Sequence, residues 1–176
     1  MIYLDYSANT PVDPRVLEVY CRTEQNFIGN PNSTHCAGQA ARQEMDRVTG
    51  LIAAQLGVLP EEIIYTSGAT EANNLALKGT ARAARHVGRH IISTPLEHSS
   101  VGATLTALQQ QGYEIDLLDI GRDGRVDLDQ LRELMRDDTI LVAVCAVDSE
   151  LGTIQPIREM AAATRQYADG DFDVRM

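Results

Sequence analysis

Residues 65–74 read YTSGATEANN. An apolar run comes before them and an Ala/Leu-rich segment after, a composition that spells strand, tight turn and helix. Such a turn points several backbone N–H groups the same way. The helix dipole adds partial positive charge, Ser67 and Thr70 add hydroxyls, and Gly68 allows close approach to the backbone. Those properties suit a phosphate. They also suit an ordinary helix start, in which Ser or Thr caps the helix and Glu71 completes the cap. The stretch matches neither the P-loop nor the GxGxxG pattern, so a nucleotide has no special claim on it.

The second chemical stretch is TPLEHSSV, with His98 just past another apolar run. Imidazole is the side chain that exchanges protons near neutral pH. A lone histidine is more often a hydrogen-bonded structural residue than a catalyst, and Glu97 reads as a solvated carboxylate. Lys78 is the single lysine beside fourteen arginines. Any chemistry that needs a lysine amine must use Lys78 or borrow one from another chain. The three cysteines, Cys21, Cys36 and Cys145, are widely spaced and form neither a metal motif nor a disulfide framework. No metal site is expected.

The elements that would position these residues alternate along the chain. Residues 1–12 read as an extended N-terminal arm. Residues 13–26 read as a helix with Pro14 near its start, 29–38 (GNPNSTHCAG) as a loop, and 37–57 as a long amphipathic helix ending at Gly57. Strands are expected at 62–66, 90–94, 114–118 and 139–147. Helices are expected at 70–86, 99–111, 127–136 and 156–168. This alternation implies an α/β fold of three layers, α/β/α, around a mostly parallel sheet. Ligands in such sheets bind beyond the carboxyl ends of the strands. SGAT, TPLEHSS and DSELGT all lie at such ends. The helix 156–168 calls for a further strand, and no convincing one follows it in ADGDFDVRM.

With 176 residues the chain is long enough for one domain with a real core. Its net charge of −10 argues against broad binding to nucleic acid or to an anionic membrane. No apolar run approaches the ~20 residues of a membrane span. The N-terminus lacks a basic apolar leader, and the sparse cysteines suit a reducing compartment, so a cytoplasmic location is expected.

Taken together, the motifs resemble the cysteine desulfurases, pyridoxal-phosphate (PLP) enzymes of the class V aminotransferase group, of the iron–sulfur-assembly type. The resemblance rests on YLDYSANTPVDPRV (3–16), GNPNSTH with Gly38, IIYTSGATEANNLALKG (63–79), HIISTPLEHSSV (90–101), and DDTILVAV with ELGTIQPI (137–157). It implies a partial large domain of the fold type I PLP transferases over residues 13–176. It further implies that Ala69 and Thr70 bind the cofactor phosphate, and that His98 stacks over the pyridine ring and shuttles protons. The arm around Asp5–Thr10 and the GNPNSTH loop would shape the mouth of the site and a homodimer contact. The implied substrate is L-cysteine, converted to alanine and an enzyme persulfide.

The chain departs from the family pattern in several places. Asp148 and Ser149 stand where the family has two asparagines, the second of which donates to the cofactor's phenolic oxygen; Ser149 inherits that cofactor-binding position with a shorter side chain. Asn9 and Ala146 replace a family threonine and histidine. Asp173 is the only candidate for the aspartate beside the pyridine nitrogen, and its context does not match. The anchoring lysine and the sulfur-accepting cysteine have no counterparts, and Lys78 occupies a place where the family often has a non-catalytic lysine. The resemblance is therefore to an N-terminal portion, expected to be inactive alone. A complementing C-terminal polypeptide would make it half of a split enzyme; the alternative is a non-catalytic remnant acting as a scaffold or partner module.

Overall fold

The computed structural model describes residues 2–6 and 8–168. They divide between a first compact unit ending at Tyr65 and a second beginning at Thr66.

The first unit is built on two helices, α1 (Pro14–Asn26) and α2 (Cys36–Leu56). Asp13 caps α1 by accepting from the Arg15 amide, and Pro14 takes a first-turn position where a missing N–H costs nothing. His35 caps α2: its Nδ1 accepts from the Gly38 N–H at 3.2 Å. The glycine is required there, because a Cβ on residue 38 would meet the Ser33 carbonyl oxygen. Cys36, read from sequence as a loop residue, is the exposed first residue of α2. Residues 62–66 are not a strand. Glu62 closes a 3-10 turn (Pro60–Glu62), and the extended residues after it find no ladder partner among the described residues. A strand needs a neighbour to satisfy its backbone. Tyr65 instead hydrogen-bonds Thr49 on α2 at 2.8 Å through its hydroxyl.

The second unit runs α3 (Ala69–Ala83), β1 (His90–Ser93), α4 (Ser99–Gln109), β2 (Glu114–Leu117), α5 (Leu128–Leu134), β3 (Thr139–Val142) and α6 (Ile157–Ala168). The three strands are parallel in the order β2-β1-β3, one strand fewer than the sequence suggests. All four residues of β1 are buried, as expected of a central parallel strand covered on both faces. Ile91 packs in one cluster with Leu77 and Ala81 of α3, Val101 and Leu105 of α4, and Leu141 of β3. Ile92 packs in the other with Leu131, Val142, Met160 and Ala163, the faces of α5 and α6. These two clusters make the three layers. Each of the two isoleucines is fully buried, worth roughly 1.5–3 kcal/mol apiece.

The register of β1 against β3 slips between His90 and Ile91, leaving Ile140 as an extra residue. The start of the sheet is polar. Thr139 Oγ1 accepts from the Arg136 N–H and lies 2.7 Å from His90 Nδ1, while His90 Nε2 lies 3.1 Å from Asp116. His90 is completely buried, yet both ring nitrogens are satisfied. Gly88 leads into this corner against the Asp138 backbone, where any Cβ would collide with the Asp138 carbonyl.

Candidate functional site

The turn into α3 works differently from the simple cap the sequence allows. Gly68 is the N-cap, in extended backbone, and offers no side chain. Ser67 is turned the other way: its N–H and its hydroxyl both donate to Glu71 Oε2, each at 2.7 Å. Those two donors hold the Glu71 carboxyl below its ordinary pKa. The first helical bond runs from the Ala72 N–H to the Gly68 carbonyl. The N–H groups of Ala69, Thr70 and Glu71 therefore have no acceptor among the described residues. The space where a Gly68 Cβ would stand is open.

From this turn a groove of about 450 Å³ runs between α3 and α4. Thr70, Asn74 and Lys78 line one wall at intervals of four residues, one helical face. Ser99, Ser100, Ala103 and Thr104 line the other. Asn74 donates to the Thr70 carbonyl at 2.9 Å. Asn73 crosses between the helices and donates to Ser100 Oγ at 2.8 Å. Lys78 is exposed two turns from the open end of α3.

His98 is the N-cap of α4. Its Nδ1 accepts from the Ser100 backbone N–H at 3.1 Å and lies 2.9 Å from Ser100 Oγ. Its Nε2 has no partner among the described residues. Glu97, read from sequence as solvated, is half-buried and structural. Its Oε1 accepts from the Thr94 hydroxyl at 2.9 Å and from the Cys145 N–H at 2.8 Å, fastening the end of β1 to the chain leaving β3.

The third strand end is shorter than its apolar sequence suggests. β3 stops at Val142, so Cys145 lies in irregular backbone, half-buried, rather than within a strand. Burial, and then the Glu97 carboxylate, push its thiol pKa up to about 11. Asp148 is buried and spends its carboxylate on its own turn, accepting from the N–H groups of Glu150 and Leu151. Gly152, at φ +71°, closes that turn in the left-handed region, and Val147 bridges to Ile154 beyond it. Ser149 is exposed on the same turn and does not line the α3–α4 groove.

Of the residues singled out from sequence, Thr70 lines the groove, Ala69 contributes an open N–H at its head, and His98 immediately precedes the groove residues Ser99 and Ser100. Asp173 lies outside the described residues. Sequence reasoning missed Asn73, Asn74, Ser99 and Ser100. Asn74 was detectable from its spacing to Thr70. The Asn73–Ser100 contact joins residues 27 apart and left no local signal. Among the described residues no cluster of His, Cys, Asp or Glu could hold a metal, and no helix is long and apolar enough to cross a membrane.

A parallel sheet between helical layers, with the unpaired start of α3 beside a histidine that follows β1 and caps α4, suits an aminotransferase-type large domain. The chain belongs to the class V aminotransferase family, whose sequence model matches residues 2–170. Among its relatives, the cysteine desulfurase IscS of Proteus mirabilis is 45% identical over 167 residues, covering 93% of this chain and 41% of the relative. A mitochondrial cysteine desulfurase of Candida maltosa is 42% identical over 166 residues, covering 94% of this chain and 34% of the relative. A solved structure described as a NifS-like protein superposes with a TM-score of 0.89 at 38% identity, over 94% of this chain and 45% of that one. The chain thus spans less than half the length of these relatives.

The family is PLP-dependent. The residues at the head of α3 fit the phosphate of that cofactor: three N–H groups lack acceptors, and open space lies over Gly68. The Glu71 carboxylate of the same turn is engaged by two Ser67 donors.

Proposed function

We propose that this chain supplies the phosphate cradle and the acid–base histidine of a PLP-dependent cysteine desulfurase acting on L-cysteine. The observation that carries this reading is the groove in which Thr70, at the unpaired start of α3, faces Ser99 and Ser100, which directly follow His98. Ala69 and Thr70 would hold the phosphate through backbone N–H groups and the Thr70 hydroxyl. His98 would carry protons to and from the reacting centre. The cofactor, when bound, supplies an electron sink for the substrate's Cα. The anchoring lysine, the aspartate for the pyridine nitrogen and the sulfur-accepting cysteine would come from a polypeptide matching the part of the relatives that this chain does not span. The assembly would be cytoplasmic, with the chain acting as a homodimer or paired with that polypeptide, in iron–sulfur-cluster supply.

The test is complementation. The chain is mixed with a polypeptide carrying the remaining part of the Proteus relative, PLP, L-cysteine and a thiol reductant, and alanine and sulfide are measured. Both products are expected from the mixture and neither from the chain alone. A stable complex with no turnover would contradict the reading. Turnover by the chain alone would move the anchoring role to Lys78.

One observation favours a second reading, a scaffold without catalysis. Ser149 is exposed and lies away from the groove, while Asp148 is committed to its own turn, so the position that would meet a phenolic oxygen is poorly equipped. A scaffold would bind a full-length relative and leave the mixture inactive.

A further inference from the structure

The geometry points to Ser100 and Asn73 as positioning residues that fix the tautomer of His98, so that its resting neutral ring presents an N–H donor at Nε2. This rests on the proposed placement of a ligand against His98.

An Asn amide nitrogen can only donate, so Asn73 Nδ2, 2.8 Å from Ser100 Oγ, occupies a lone pair of that hydroxyl. The Ser100 hydrogen must then point elsewhere. The acceptor within reach is His98 Nδ1, at 2.9 Å. The Ser100 backbone N–H already points at the same nitrogen from 3.1 Å. Two donors converge on Nδ1, and a hydrogen there would face both of them. Nδ1 is therefore the bare nitrogen, and the ring proton sits on Nε2. Ser100 is buried at 8% exposure, and its carbonyl is tied by the Thr104 hydroxyl at 2.8 Å, so the donor is held in place.

The chemical consequence is directional. A neutral His98 in this tautomer gives a hydrogen bond at Nε2 and accepts none there. It can take up a proton only at Nδ1, and only by giving up both bonds from Ser100. The ligand group it meets first is accordingly an oxygen acceptor, such as a carboxylate or a phenolate. Acting as a base at Nε2 requires the Ser100 hydroxyl to rotate, so that Nδ1–H donates to Ser100 Oγ. Asn73 opposes that rotation only weakly, because its donor and an incoming Nδ1–H can share the two lone pairs. What opposes such a rotation is the Ser100 backbone N–H, which still faces Nδ1, and the want of an acceptor for the displaced Ser100 hydrogen.

The test reads the ring directly in the chain without cofactor. Long-range ¹H–¹⁵N spectra are recorded at a pH where the ring is neutral, with the His98 signals identified by their loss in His98→Gln. The wild type is expected to show a bare, pyridine-like Nδ1 and a protonated, pyrrole-like Nε2. Ser100→Ala removes the hydroxyl but keeps the backbone N–H that points at Nδ1 from 3.1 Å, so it should retain the wild-type tautomer. Asn73→Asp draws the Ser100 hydrogen to the carboxylate and turns an Oγ lone pair toward Nδ1 against the backbone N–H, and should give averaged signals from a mixture of tautomers. Thr70→Val, in the groove but outside this chain of bonds, should leave the wild-type pattern. A protonated Nδ1 in the wild type, or an unchanged single tautomer in Asn73→Asp, overturns the assignment. Because no cofactor is present, failure here is separate from failure of the complementation experiment.

Discussion

Glu97 and Cys145 illustrate how much at the residue scale depends on partners distant in sequence. Neighbouring residues make Glu97 look like a solvated acid. Its partner, the Cys145 amide, lies 48 residues on, so the sequence held no sign of the bond. The same pairing sets the chemistry of the thiol. Cys145 is pushed up from 9.0 to about 11, first by burial and then by the Glu97 carboxylate. The thiolate is the reactive form, so Cys145 should alkylate far more slowly with iodoacetamide near pH 8 than an unperturbed thiol. Glu97→Gln removes the negative charge and should speed labelling of Cys145 specifically, as read by peptide mass spectrometry. Unchanged labelling would show that burial alone controls the thiol. The raised value also sets a stability trend. The folded state holds the thiol proton more tightly than the unfolded state, so this contribution is complete below about pH 9 and disappears as pH rises toward 11. In urea unfolding across that window, Cys145→Ala should lose less stability than the wild type.

At the scale of elements, the helices were legible because periodicity and caps are local. α1 starts where Pro14 and Asp13 require, and α2 ends before Gly57, which adopts φ +70°. The strands were legible only where a neighbour exists. HIIS and TILV are buried throughout and paired apart from the bulged Ile140, whereas the equally apolar EIIYT lacks a partner among the described residues and stays irregular. β3 was read too long for the opposite reason: after Val142 the backbone turns to meet Glu97, and an apolar composition does not record that bend. Gly88 is the most sensitive position between α3 and β1, since its neighbour is backbone that cannot rotate away. Gly88→Ala is expected to cost about 1–3 kcal/mol by overpacking. Urea denaturation of the variant would show this as a lower midpoint with unchanged slope. A neutral result would mean that the 88–90 segment is free to move relative to Asp138.

For the whole molecule, family membership was readable because several motifs occur in fixed order, and the sequence model matches residues 2–170. The phosphate turn was readable in kind but not in detail: the stretch by itself favoured a plain cap over a cradle, whereas Ser67 turns onto Glu71 and the Ala69 and Thr70 N–H groups stay unpaired. The chain carries −10 overall, yet Lys78 and Arg82 on the later turns of α3, with Arg85 and Arg89 beyond its end, line a groove of about 740 Å³ in which Glu71 is the opposing carboxylate. An anion approaching α3 meets locally positive charge on an acidic molecule. Its binding should weaken as ionic strength rises.

The most direct test of the cradle is a set of ¹H–¹⁵N titrations of the chain with PLP, with pyridoxal lacking the phosphate, and with inorganic phosphate. The account expects the Ala69 and Thr70 amides to shift with PLP and with inorganic phosphate, and to stay in place with pyridoxal. Shifts confined to other residues, or the same shifts with pyridoxal, would contradict a phosphate cradle at the head of α3.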